Sequence, residues 1–130
     1  MIILDTCTLL WLSEDPPRLP DTVMDIIRNT EIGHRFVSAI TAFEIGVKYK
    51  KGTLKLPSSP QNWFNATISG RGLNVLSVTD RIAFSAARLK NIHKDPADRI
   101  IIATAFEYDL LIITADPVFF QYTNAKVKWK

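Results

Sequence analysis

The sequence predicts an α/β domain with a mainly parallel sheet covered by helices on both faces. Two observations lead there. Short strand candidates alternate with helical stretches along all 130 residues, and no internal repeat or low-complexity tract breaks the alternation. "MIIL" is a short buried strand, followed by a helical "TCTLLWLSE". "DPPRLP" makes a turn, and "DTVMDIIRNTE" restarts a helix from Asp21 with apolar residues at 23, 26 and 27. "HRFVS" is the next strand. The helix "AITAFEIGVKYKKG" sets Ile40, Phe43 and Val47 on one face and meets a glycine stop at Gly52. "TLKLPSSP" is a loop too short to link domains, and "QNWFNATISGRG" reads as a helix despite its β-branched residues and glycine. "NVLSV" is a strand, and Thr79 caps the helix "DRIAFSAARLKNI". Asp95 caps the helix after that, with Pro96 at its first position and Asp98 at its third. "LLIIT", "DPVFFQY" and "KVKW" complete the series as strand, short helix and strand.

A chain of 130 residues suits one domain, spanning 1–130, with a single core. Its 47% hydrophobic and 22% charged residues exclude bulk disorder. No apolar run approaches the roughly 20 residues of a membrane span, and Asp5 interrupts "MIILDTCTLLWL". Neither a basic leader nor a small-residue cleavage site is seen, so the expected location is cytoplasmic. A single cysteine excludes an internal disulfide, and no Cys/His cluster has zinc spacing. Without an activating base in the sequence, Cys7 is expected to be a small buried residue beside the first strand.

The net charge of +3 and pI near 9.1 hint at an anionic partner. The positive charges fall in three groups: Lys48, Lys50, Lys51 and Lys55; Arg88, Lys90, Lys94 and Arg99; Lys126, Lys128 and Lys130. Alone they read as solvated faces. Around an acidic centre they would become a rim for a polyanion.

In parallel α/β sheets, sites collect beyond the carboxyl ends of the strands. Asp5 follows "MIIL" directly, and Asp116 follows "LLIIT" within two residues. Asp98 lies in the first turn of a helix that runs back antiparallel to the strands, so it starts at the same edge. Glu44 is near the start of the helix after "HRFVS", and helical side chains lean back toward their N-terminus. Each acid has a local explanation as a cap, a dipole partner or a solvated side chain. Together they do not, because four anions at one rim repel unless a cation neutralises them. Oxygen-only ligands favour a hard ion, Mg2+ or Mn2+, which also accepts phosphate oxygens. Two such ions about 4 Å apart suit phosphodiester hydrolysis.

The stretches "LDTCTLLW", "FVSAITAFEIGVKYKKGTLKLP", "HKDPADRIIIATA" and "LIITADPVFFQY" occur in order over nearly the whole chain. With them the sequence resembles PIN-domain proteins, specifically the ribonuclease toxins of bacterial VapBC toxin–antitoxin systems. The resemblance implies a PIN-like three-layer α/β/α domain and Mg2+-dependent endoribonuclease activity, with Mn2+ as a substitute. It further implies an RNA substrate, a VapB-like antitoxin partner and a homodimer. The family's acidic set falls on Asp5, Glu44, Asp98 and Asp116, as metal ligands and catalytic groups. Thr6 and Thr114 are placed to fix carboxylates or waters, and with Lys48 and Arg99 they are candidate substrate contacts. Two departures are mild: Ala97 replaces a bulkier apolar residue, and Cys7 replaces a common histidine.

Arg99 has two alternatives, a phosphate contact or an ion pair with Asp95. His93 adjoins the acidic motif but is expected to be structural or solvent-facing. Trp11, Trp63 and Phe64 read as core or partner-facing aromatics, with Trp11 and Trp63 as candidate docking surface. The competing functions are a PIN nuclease acting on DNA or in RNA processing, and a non-catalytic RNA-binding module. A receiver-like phosphoacceptor would need an acceptor Asp after a central strand and a Lys after a later one, and neither is evident.

Overall fold

A computed structural model describes residues 1–130. Five strands form one sheet: β1 (Ile2–Leu4), β2 (Arg35–Ser38), β3 (Asn74–Leu76), β4 (Leu111–Ile113) and β5 (Val127–Lys128). Their order is β3-β2-β1-β4-β5, and every pair is parallel. Six helices accompany them: α1 (Thr6–Ser13), α2 (Asp21–Asn29), α3 (Ala39–Lys50), α4 (Pro60–Gly70), α5 (Asp80–Arg88) and α6 (Pro96–Tyr108). The segment "PVFFQ" is a 3-10 turn, Pro117–Gln121.

Alternation along the central strands sorts the apolar side chains into two layers. Ile2, Leu4, Val37 and Ile113 join Leu9, Val23, Ile27, Ile45 and Trp63 from α1 to α4 on one face. Ile3 and Ile112 point to the other, against Ile101, Ile102 and Ala105 of α6 and Phe119. Helix α5 packs outside α6 through Ile82, Ala86 and Ala103. The result is three layers, as the sequence implied. Ile101 and Ile102 are fully buried, so truncating either to alanine should cost about 2–5 kcal/mol. No helix is long and apolar enough to cross a membrane.

The capping residues set where the helices begin. Asp5, Ser38, Ser59, Thr79 and Asp95 each accept a backbone N–H from the first turn of the helix they start. Gly52, with φ +78°, follows the end of α3 in the left-handed conformation that glycine adopts without strain.

The core side of α3 carries Thr41 and Ile45, while Phe43 is 65% exposed. Ile40, Phe43 and Val47 do share one face, and it lines an open groove with Ile100 of α6. One expectation about docking surface needs correction. Trp63 belongs to the core and is no docking surface; Trp11 is half-buried and packs on Trp129, with ring centroids 5.7 Å apart.

Candidate metal centre

In an all-parallel sheet the carboxyl ends of β1 and β4 share one edge, and Leu4 pairs with Ile113 there. Asp5 leaves β1 at that edge and Asp116 leaves β4. Helices α3 and α6 both begin there, bringing in Glu44, Asp95 and Asp98. These acids line a single cleft of about 390 Å³, together with Thr6, Cys7, Trp11 and Lys48.

Asp5 is 5% exposed and fully engaged. Its Oδ1 accepts the N–H of Thr8 at 2.9 Å and the hydroxyl of Thr8 at 2.6 Å. The Thr114 hydroxyl donates to Oδ2 and in turn accepts the N–H of Asp116 at 3.1 Å. Burial pushes the Asp5 carboxyl above its usual range, opposed by these hydrogen bonds and reinforced by Asp116. Glu44 takes a hydrogen bond from the Thr6 hydroxyl, which has Thr41 as its other partner at 3.0 Å. Thr6 has only one hydroxyl proton, so Thr41 is the donor in that second bond. Burial raises the Glu44 carboxyl too, against the Thr6 bond and with help from Asp95.

Asp98 differs. Burial, then the charges of Asp95, Glu44, Asp5 and Asp116, push it up to about 8. A carboxyl so displaced marks a place where negative charge is crowded and uncompensated. Carboxylate oxygens of Glu44, Asp95 and Asp98 lie within 4.8 Å of one another, and so do ligand atoms of His93, Asp98 and Asp116. Crowded oxygen donors on a water-accessible cleft fit a hard divalent cation.

Asp95 was assigned from sequence only to starting α6, and it does: Oδ1 accepts the N–H groups of Ala97 at 2.8 Å and Asp98 at 3.4 Å. It is also a fifth acid of the cleft. The signal was present, since a cap three residues before Asp98 sits beside it at the same helix end.

Of the two expected places for His93, structural or solvent-facing, the structure shows the first: its side chain is 11% exposed, and Nε2 lies 2.9 Å from Asp98 Oδ2 and 3.0 Å from Asp116 Oδ2. Two other expectations fail here. Arg99 neither pairs with Asp95 nor faces the cleft with a free guanidinium. That group donates to the carbonyls of Ala86, Ala87, Leu89, Lys90 and His93 at 2.8–3.4 Å, tying the end of α5 to the loop before α6. Cys7 is exposed at the cleft wall, and desolvation there, then Asp5, pushes its thiol up, away from nucleophile chemistry. Thr6, Thr114 and Lys48 do reach the cleft or its acids, the threonines by binding carboxylates.

The match to the PIN domain family spans residues 2–125, nearly the full chain. The chain belongs to the PIN-domain family. Among characterised proteins it is similar to Ribonuclease VapC22 of Mycobacterium tuberculosis, 27% identical over 116 residues, covering 88% of this chain and 86% of that protein. Its fold matches VapBC2 from Rickettsia felis bound to a promoter DNA fragment, with TM-score 0.73 at 17% identity and complete coverage of both chains. DNA-bound VapBC from Salmonella typhimurium gives TM-score 0.70 at 18% identity, over 98% of each chain. The PIN fold thus accounts for the edge at which the acids meet.

Proposed function

We propose that this PIN domain is a metal-dependent endoribonuclease, the toxin of a toxin–antitoxin pair, with Asp5, Glu44, Asp98 and Asp116 holding Mg2+ or Mn2+. One observation carries the reading: four carboxylates from four separate elements line one cleft, with Asp98 displaced to about 8 by burial and then by its acidic neighbours. The similarity to a VapC ribonuclease and the fold shared with VapBC complexes support the substrate class and the protein partner.

Within this reading each residue has a job that its contacts allow. The Thr8 and Thr114 bonds hold Asp5 in one orientation, and the Thr6 bond does the same for Glu44. A bound divalent ion would supply Lewis-acid stabilisation of phosphate oxygens and activation of water. Lys48 lines the cleft, and Lys48 and Lys51 line the adjoining groove, where they can take RNA phosphates. That groove, with exposed Phe43, replaces Trp63 as the candidate surface for the antitoxin.

The test is direct. Protein purified free of its partner should cut a susceptible RNA with Mg2+ or Mn2+ and stop in EDTA. Co-expression with the product of the neighbouring gene should yield a complex without activity. Full cleavage persisting in EDTA would sink the metal mechanism; an isolated gene with no inhibitory partner would remove the toxin role and leave a nuclease.

A further inference from the structure

His93 lies in the irregular stretch between α5 and α6, yet its position is fixed from every side. Its N–H donates to the Tyr122 hydroxyl at 2.9 Å, and that hydroxyl donates to the Lys90 carbonyl at 2.9 Å. Arg99 holds the His93 carbonyl at 3.2 Å and the Lys90 carbonyl at 3.0 Å. The ring rests edge-on against Phe119, with centroids 5.3 Å apart and planes at 85°. A loop clamped this heavily is built to present one side chain accurately.

The role of that side chain follows from its ring nitrogens. Nδ1 accepts the N–H of Asp95 at 3.2 Å. A backbone N–H can only donate, so Nδ1 presents its lone pair and the ring proton sits on Nε2. Nε2 is the nitrogen between Asp98 and Asp116. A metal ligand or a general base would need a lone pair at that atom, and this tautomer withholds it. A hydrogen-bond donor needs the proton that is there.

We propose that His93 is a positioning residue of the metal centre, its Nε2–H tying Asp116 to the side of Asp98 and setting how the two carboxylates meet a cation. The inference rests on the function proposed above. Asp116 is then oriented through both oxygens, since Oδ1 accepts the N–H of Val118 at 2.9 Å while Oδ2 faces His93 at 3.0 Å. Asp98 meets His93 through Oδ2, and one of its carboxylate oxygens lies within 4.8 Å of ligand atoms of Glu44 and Asp95. Partners of this kind, one bond removed from the ion, tune affinity through the geometry of the ligands they hold.

The chain has two histidines, so a His34→Gln background leaves His93 as the sole imidazole signal in a nitrogen NMR spectrum. His34 is exposed and lies just before β2, at the end of that strand away from the cleft, which makes that background benign. The expected spectrum has the proton on Nε2 without Mg2+ and with saturating Mg2+. A proton on Nδ1 with Mg2+ bound would assign Nε2 as a ligand and overturn the proposal. Calorimetric Mg2+ titration gives the second readout. His93→Ala should weaken binding about 10–100-fold, whereas His93→Gln, whose amide N–H reaches a similar point, should recover most of it. Equal losses in both variants, or none in His93→Ala, would overturn the donor role while leaving the nuclease intact. Should His93→Ala fail to fold, the spectrum still decides. Wild-type protein that binds neither Mg2+ nor Mn2+ would instead overturn the function on which this rests.

Discussion

The two sides of the cleft are built on different physics. On the strand side, Asp5 is buried at the junction of β1 and α1, and three donors from Thr8 and Thr114 satisfy its carboxylate. On the helix side, Asp98 sits in the first turn of α6 among acids, with His93 Nε2 2.9 Å from its Oδ2. Both carboxyls are raised by burial; three hydrogen bonds oppose the rise at Asp5, while four neighbouring carboxylates add to it at Asp98. One half of the centre is therefore preorganised by neutral donors before an ion arrives. The other half stores repulsion that a cation would relieve. Rigidity and affinity come from opposite walls of one cleft.

The largest expected effect comes from removing the repulsive side. Asp98→Asn should lower RNA cleavage by at least the ~100-fold upper range seen for lost outer-shell partners, because a ligand itself is removed. The metal-free variant should nonetheless melt at the same temperature as wild type or higher, since folding no longer has to protonate a crowded carboxylate or bear its charge. Activity within a few-fold of wild type would return Asp98 to a helix-dipole role. Thr114→Val disturbs the other wall. It leaves a buried carboxylate oxygen of Asp5 without its donor, at a cost of about 1–3 kcal/mol, and should lower Mg2+ affinity about 10–100-fold. Thr114→Ser, which restores the hydroxyl, should recover both; a valine variant with normal affinity would show that Asp5 needs no such support.

Proton linkage sharpens the same contrast. Asp98 has a folded value of about 8 against 3.8 for an ordinary aspartate, so between those limits the folded chain holds a proton that the unfolded chain has released. Stability of the metal-free protein should therefore be greatest below about pH 4 as far as this group is concerned. It should fall as pH rises toward 8 and then level off. Mg2+ binds the ionised form, so its stabilisation should grow over the same window. Melts from pH 5 to 9, with and without Mg2+, measure this directly. In Asp98→Asn the slope should flatten; an unchanged slope would place the linkage on Asp5 and Glu44, which are raised as well.

The legible parts of this protein are those fixed by local chemistry and topology. Cap, proline and acid at the start of α6 follow from short-range helix rules, and the parallel sheet then dictates which ends converge. Asp5, Glu44, Asp98 and Asp116 could be placed at one edge on that basis. Arg99 could not, because its five acceptors are carbonyls at the end of α5 and in the loop beyond it, invisible until the chain path is known. His93 stayed open between a structural and a solvent-facing place for the same reason: Tyr122, Phe119 and Arg99 turn it inward. The face of α3 that carries Phe43 was legible, but helical periodicity cannot say whether the core or an open groove receives an apolar stripe.

The smallest effect separates two roles within a single helix start. Asp95 caps α6, and its charge is the foremost electrostatic contribution, after burial, to the raised value of Asp98. Asparagine caps nearly as well as aspartate, so Asp95→Asn should change stability at pH 6 by no more than about 0.5 kcal/mol. Losing the negative charge should lower the Asp98 carboxyl from about 8, moving the pH window of the apo protein's stability loss downward. Mg2+ affinity should weaken only slightly, well short of the roughly 10–100-fold cost of losing an outer-shell partner. A cap that only starts a helix predicts no shift in the window, and a true ligand predicts collapse of Mg2+ binding. The intermediate pattern, a displaced window with near-normal stability and binding, would identify Asp95 as the residue that charges the helix wall without holding the ion.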